Sequence, residues 1–170
     1  MKKLSLITFG LLISLSAFSS ERCEHTFDTF RCVDYVSNYD GDTITVTIPG
    51  QHPLFGEEIS VRLNGIDTPE KRTKDKCEKK LAVLARDYLK YRILKSQSGT
   101  VELRDIQRGK YFRVVAEVWV NGRNLNQDMI RRGLAVEYFG DTKQEVNWCK
   151  FRPEIPNDMY AELAKYESER

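Results

Sequence analysis

Five short apolar stretches, with one long helix between the third and the fourth, predict a five-stranded OB-fold barrel with about three helices, an α+β chain. Three observations carry that prediction. Alternating, β-branched runs recur at strand length, as in Thr43 to Ile48 (TITVTI) and Ile59 to Leu63 (ISVRL). Turn-forming steps separate them, at Asp40-Gly41-Asp42, Pro49-Gly50 and Asn121-Gly122. The chain has 170 residues, enough for one domain and hardly for two.

The N-terminus reads differently from the rest. Lys2 and Lys3 precede an apolar run from Leu4 to Phe18, and Ala17 and Ser19 supply small residues at the positions a signal peptidase reads. Residues 1–19 are therefore expected to be a signal peptide; the run is short for a membrane anchor, which needs ~20 apolar residues. Removing it takes two of the 27 basic residues and none of the 25 acidic ones. The remaining 25 of each sign balance, so attraction to an anionic partner must come from local clusters.

Four cysteines, Cys23, Cys32, Cys77 and Cys149, in an exported chain point to two disulfides. No C-x-x-C spacing occurs, so zinc is not expected. Three connectivities are possible. The favoured one joins Cys23 to Cys32, closing an N-terminal segment over residues 20–32, and Cys77 to Cys149, tying the first helix to the tail.

The domain proper is expected over residues 33–170. Val33, Tyr35 and Val36 open a first strand after an irregular stretch from Ser20 to Phe30. Thr43 to Ile48 is the second strand and Gln51 to Glu58 a loop. The third strand starts at Ile59. A helix follows, with Asp75 and Glu78 spaced as a capping box and Leu81, Leu84, Tyr88 and Tyr91 on one face, ending near Lys95. Val101 to Ile106 and Phe112 to Val120 are the fourth and fifth strands, joined through Arg108-Gly109. Leu125 to Arg132 is a short helix stopped by Gly133. A polar loop from Gly140 to Pro156 leads to a last helix over residues 157–169, capped by Asn157.

Chemistry concentrates where the third strand ends, in ISVRLNGIDTPE. Asp40-Gly41-Asp42-Thr43 alone is a hairpin turn, and Asp67-Thr68-Pro69-Glu70 alone is a strand stopped by proline. Together they offer more. Asp42 and Asp67 are carboxylates that, with a backbone carbonyl and waters, suit a hard divalent ion, Ca²⁺ especially. Arg62 and Arg113 can fork onto a phosphate. Glu70 can orient or deprotonate a water. That set is sufficient for phosphodiester hydrolysis. Arg62 and Asp67 are an odd number of residues apart, so their convergence needs a bend, expected at Gly65. The only histidines, His25 and His52, lack metal-ligand spacing, which disfavours histidine-based nuclease chemistry. Trp119 and Trp148 are given no functional role.

The chain resembles the staphylococcal nuclease (thermonuclease) family. The resemblance rests on YDGDT at 39–43, VRLNGIDTPE at 61–70, KYFR at 110–113 and VNGRNLNQDMIRRGLA at 120–135. It covers roughly residues 33–138, and four separated motifs agree in order. It implies an OB-fold nuclease domain and Ca²⁺-dependent endonucleolytic cleavage of DNA and RNA that leaves 3′-phosphates. By position, Arg62, Glu70 and Arg113 would be catalytic, and Asp42, Asp67 and Thr68 would hold Ca²⁺. Lys110, Tyr111 and Tyr138 would contact substrate, Tyr138 lying one residue nearer Gly133–Ala135 than the family tyrosine. The family usually has glycine where Phe112 stands; here the glycine is Gly109, so the turn between the fourth and fifth strands is expected earlier.

The expected partner is DNA or RNA, with the exported chain periplasmic or extracellular, a monomer, and without stable membrane association after signal cleavage. Two other readings compete. One is a non-catalytic OB-fold module that binds nucleic acid. The other is a Ca²⁺-stabilised structural domain in which the arginines only pair with the acids.

Overall fold

A computed structural model describes residues 23–96, 98–109, 113–140, 142–143 and 145–169. Lys110, Tyr111 and Phe112, and the expected signal at residues 1–19, lie outside the described residues. Twelve elements follow in order: β1 (Thr29–Asn38), β2 (Thr43–Thr47), α1 (Pro53–Gly56), β3 (Ile59–Leu63), β4 (Ile66–Asp67), α2 (Lys76–Leu94), β5 (Thr100–Arg108), β6 (Val114–Val120), β7 (Arg123–Asn124), α3 (Leu125–Arg131), β8 (Val136–Glu137) and α4 (Met159–Ser168).

Five strands close into a barrel in the order β3-β2-β1-β5-β6, and β3 pairs with β6 to complete the ring. All the pairings are antiparallel except β3–β6, which is parallel. Closure demands strand curvature, which bulges supply. Register shifts occur in β1 between Phe30 and Val33, and in β5 between Arg104 and Gln107. Cys32 and Asp105 take positive φ there, 52° and 50°. The expected OB-fold barrel with helices is therefore the observed one, with β1 beginning at Thr29, inside the stretch read as irregular.

The alternation in TITVTI does what a half-buried strand requires. Ile44, Val46 and Ile48 are buried, while the threonines are only partly covered. The same period buries Val61 and Leu63 in β3, Val101 and Leu103 in β5, and Ala116, Val118 and Val120 in β6. Helix α2 starts where Asp75 accepts the amides of Cys77 and Glu78 at 2.7 and 3.2 Å. The capping box is not reciprocal, however. Glu78 turns away and accepts the Glu70 amide at 3.1 Å. Of the expected face of α2, Tyr88 and Tyr91 are buried and Leu81 and Leu84 only partly so, and Ala82, Ala85, Leu89 and Ile93 are buried beside them. Ala85 stands where the turn at Gly41 comes close.

Other corrections are local. His52 caps the one-turn helix α1, with Pro53 at its first position, inside the expected loop. Helix α4 begins at Met159 after Asp158, not after Asn157, and no side chain caps it. Two disulfides join Cys23 to Cys32 and Cys77 to Cys149.

Asn126 ties α3 to the barrel. Its Oδ1 accepts the Val118 amide at 2.9 Å, and its Nδ2 donates to the carbonyls of Asn64 at 2.8 Å and Ala116 at 3.3 Å. The residue is buried, so Asn126→Ala leaves a buried amide and two carbonyls without those partners. That variant is expected to lose about 2–4 kcal/mol of stability. Urea unfolding followed by tryptophan fluorescence measures it; a loss under 1 kcal/mol, on the order of one ordinary exposed hydrogen bond, would contradict the role.

Candidate active site

The rim of the barrel is set by three registers. Thr43 of β2 pairs with Arg62 of β3, so Asp42, just before β2, lies beside Arg62. The Leu63 amide donates to the Asp42 carbonyl at 2.8 Å and extends that pairing by one step. Arg62 pairs with Val115 in the parallel β3–β6 ladder, which begins one residue after Arg113. The backbone then turns at Gly65, with φ of +73°, and resumes as β4. Ile66 and Asp67 of β4 pair with Glu137 and Val136 of β8, and the Tyr138 amide donates to the Gly65 carbonyl at 3.0 Å.

The Asp40–Asp42 turn is pressed against α2. A Cβ on Gly41 would lie 2.8 Å from the Ala85 Cβ. Asn38 fastens the same turn, donating to the carbonyls of Asp40 at 2.9 Å and Arg86 at 3.0 Å.

Arg62 is the hub. Its guanidinium pairs with the Asp42 carboxylate and reaches Asp67 Oδ1 at 3.4 Å. It also donates to the carbonyls of Ile66 at 3.0 Å and Asp42 at 3.3 Å. The other Asp42 oxygen accepts the Thr68 amide at 3.2 Å and the Thr68 hydroxyl at 2.9 Å. Asp42, Asp67 and Thr68 are all buried. Burial pushes the Arg62 guanidinium below its ordinary range, and Arg113 pushes the same way, against Asp67, Asp40 and Glu70.

Arg113 and Arg62 line one open cavity of about 290 Å³ with Gln107, Val115, Tyr138 and Phe139. Two further depressions flank the acids. One holds Asp67, Tyr138 and Lys143, the other Tyr39, Asp40, Glu70, Lys71 and Arg72. So the structure gathers Asp42, Arg62, Asp67 and Thr68 by direct contact, with Arg113 and Tyr138 on the adjoining wall and Glu70 at the edge.

Two residues join the site that the sequence reading left aside. Asp40, read as a turn residue, is held above its ordinary value by burial and by Glu70, against Arg62 and bonds from Thr43. Lys143, read as part of a polar loop, lies 3.1 Å from Asp67 Oδ2 and 2.9 Å from Glu70 Oε1. Burial works against its charge, but Glu70 and Asp67 hold its ammonium above the ordinary range. The available signal was the Cys77–Cys149 link, which returns the loop after Tyr138 to the start of α2, near Glu70.

The donor chemistry fits a hard cation: carboxylates and a backbone carbonyl, already drawing two basic side chains onto them. Among the described residues, no three of Asp40, Asp42, Asp67 and Glu70 bring oxygens within 4.8 Å of one another. The tighter cluster of Asp75 with Cys77 and Cys149 is no thiolate site, because those sulfurs are bonded to each other.

The raised Asp40 sets a sign. Ionising it is harder in the fold than in the unfolded chain, so it lowers stability as pH climbs from below 3.8 through its raised folded value. Asp40→Asn cannot ionise. With chelator present, it is expected to be more stable than wild type at pH 7, and the difference should vanish below pH 3.8, the ordinary carboxyl value. Guanidinium unfolding at both pH values checks this; equal stability at pH 7 would contradict it.

Comparison with known proteins places the chain in a family. Residues 60–152 match the family model described as staphylococcal nuclease homologue. A protein named probable endonuclease LCL3 from Kluyveromyces lactis is 30% identical over 115 residues, covering 65% of this chain and 42% of that protein. Its namesake from Pyricularia oryzae is 31% identical over 129 residues, covering 69% and 49%. The thermonuclease of Staphylococcus hyicus is 29% identical over 120 residues, covering 71% and 63%. The chain thus spans less than half the length of the two endonucleases. With a closed five-stranded barrel, a rim of paired acids and arginines, and a family match over more than half its length, the chain belongs to the staphylococcal nuclease family.

Proposed function

We propose that the protein is a Ca²⁺-dependent endonuclease that hydrolyses phosphodiester bonds of DNA and RNA and leaves 3′-phosphates. The observation that carries the reading is Arg62. A half-buried guanidinium shared by two buried carboxylates, with Arg113 lining the same open cavity, is a charge arrangement with room for one more anion. A structural ion pair needs neither the second arginine nor the cavity.

Asp42, Asp67 and the Thr68 carbonyl would hold the ion, which when bound supplies positive charge beside the phosphate. Arg62 and Arg113 bind the phosphate and stabilise the extra negative charge as phosphorus becomes five-coordinate. Glu70, with a side chain 59% exposed, would take a proton from water as the water oxygen bonds to phosphorus. The bond from phosphorus to the 5′-oxygen breaks, that oxygen takes up a proton from solvent and leaves as a hydroxyl, and the phosphate stays on the 3′ side. Lys110, Tyr111 and Tyr138 are the proposed substrate contacts beyond the phosphate. Six basic residues between Lys71 and Lys80, just past Glu70, supply a local positive patch on a chain without excess charge overall.

Export completes the proposal, with the mature chain periplasmic or extracellular and monomeric. Both cysteine pairs are joined, which suits an oxidising compartment. Among the described residues, no helix is long and apolar enough to cross a membrane.

Incubation with plasmid or RNA tests the reading. Degradation is expected with Ca²⁺ and none with chelator. Arg62→Ala and Glu70→Gln are each expected to slow cleavage by at least ~10²-fold. Intact substrate with retained binding would favour the nucleic-acid-binding module instead. The even charge balance gives a separate expectation for chelated protein on single-stranded DNA, a shallow fall of log K with log salt. A slope as steep as that of a protein neutralising about six or more phosphates would refute it.

A further inference from the structure

We propose that Lys143 is a built-in competitor for the divalent cation, an ammonium latch across Asp67 and Glu70 that must open before the ion binds. This rests on the metal-dependent reading above and goes beyond it to how the site is controlled.

The two basic side chains on the acids are held very differently. Arg62 is fixed by the carboxylates of Asp42 and Asp67 and by two backbone carbonyls, and its side chain is 17% exposed. Lys143 has two carboxylate partners, Asp67 Oδ2 and Glu70 Oε1, and its side chain is 48% exposed. Asp67 is thus occupied on both oxygens, one by each base. A cation seeking an Asp67 oxygen meets, on one side, a guanidinium held by three other attachments, the Asp42 carboxylate and the carbonyls of Asp42 and Ile66. On the other it meets a flexible ammonium with water beside it. Lys143 is the one that leaves.

Its departure has a second effect. The carboxylate of Glu70 is engaged by Lys143, while its amide stays on Glu78 at 3.1 Å. Opening the latch therefore frees Glu70 for proton transfer without moving its backbone. One event exposes a ligand oxygen and an acid–base group together.

The loop is built to return. Before Lys143, the Tyr138 amide is fixed to Gly65. After it, Trp148 is buried and Cys149 is bonded to Cys77 at the start of α2. Both ends of the short connection are fastened next to the acids, so an open Lys143 stays near them at high effective concentration.

Calcium titration by calorimetry, with Ca²⁺ alone and no nucleic acid, tests the latch. Lys143→Met is expected to bind Ca²⁺ about fivefold more tightly than wild type, about 1 kcal/mol, as for an exposed ion-pair network. Lys143→Arg, which keeps the charge, should stay close to wild type. Lys71→Met is the control for net charge. Lys71 lies beside Asp40 and Glu70 but donates to the Tyr39 carbonyl at 2.7 Å, and its removal should change affinity less than about twofold, as for an exposed charge that is screened by solvent. In wild type, the Lys143 side-chain ammonium signal in NMR should move or broaden on Ca²⁺ addition. Unchanged or weaker Ca²⁺ binding by Lys143→Met overturns the latch and leaves the metal reading intact. Equal gains from Lys143→Met and Lys71→Met overturn it in favour of a general charge effect. No Ca²⁺ binding by any variant overturns both.

Discussion

The half-buried Arg62 guanidinium is the constraint around which the barrel rim is arranged. A cation taken out of water is costly unless its partners are close and well oriented. Here they come from three places: the turn before β2, the bend after β3 and the backbone of that bend itself. None could be moved alone. If Asp42 shifted, Arg62 would lose a carboxylate and a carbonyl together, and Thr68 would lose the acceptor for both its amide and its hydroxyl. The cost of breaking one contact is thus the cost of leaving several buried polar groups unpaired, and this fixes the rim more tightly than apolar packing alone.

The barrel supplies the positions at no extra conformational expense. Antiparallel pairing of β2 with β3 places Asp42 beside Arg62, and parallel pairing of β3 with β6 brings Arg113 to the same wall. The bend at Gly65 resolves the parity problem. A straight strand would send Arg62 and Asp67 to opposite faces, whereas a left-handed residue between them lets Asp67 fold back onto the guanidinium. Phe139 sits against Gly65, where a Cβ would approach its ring to 3.0 Å, so a side chain at position 65 would be opposed by both backbone strain and packing. The helix side imposes a matching limit at Gly41 and Ala85. Two small residues let the acid-bearing turn lie directly on α2.

What could be read from the sequence follows from what leaves a periodic or local trace. The barrel strands alternate, and their turns carry glycine and aspartate, so both were legible. Asp42, Arg62, Asp67 and Glu70 could be grouped because they cluster on two short stretches, and Arg113 because it lies within a recognisable motif. The ladder of β4 with β8 is two residues long on each side, too short to carry a period, and α1 is a single turn. The core face of α2 was only half legible: bulky Tyr88 and Tyr91 are buried as expected, whereas Ala85 is buried because the Gly41 turn passes close to it, and that depends on tertiary approach. Glu78 stood at the spacing of a reciprocal cap but satisfies the amide of Glu70 instead. Lys143 left no local trace, since its place at the site depends on a disulfide 72 residues long in sequence.

The charge distribution gives these local arrangements their weight. With equal numbers of acidic and basic residues beyond position 19, no long-range field favours a polyanion, and within ionic solution such fields fade over about a Debye length, on the order of 10 Å. Selectivity must then come from contact. At the rim, Asp42 and Asp67 are already engaged by Arg62, while Asp40 is held towards its neutral form by burial. Asp67, through Oδ2, and Glu70 are both engaged by one half-exposed lysine, Lys143. The site therefore pairs a rigid base, Arg62, with a replaceable one, Lys143. The rigid base keeps the acids aligned whatever else is bound, and the replaceable one leaves an oxygen of Asp67 open to exchange. On the metal-dependent reading proposed above, a cation entering this rim competes with Lys143 rather than with the more firmly held Arg62.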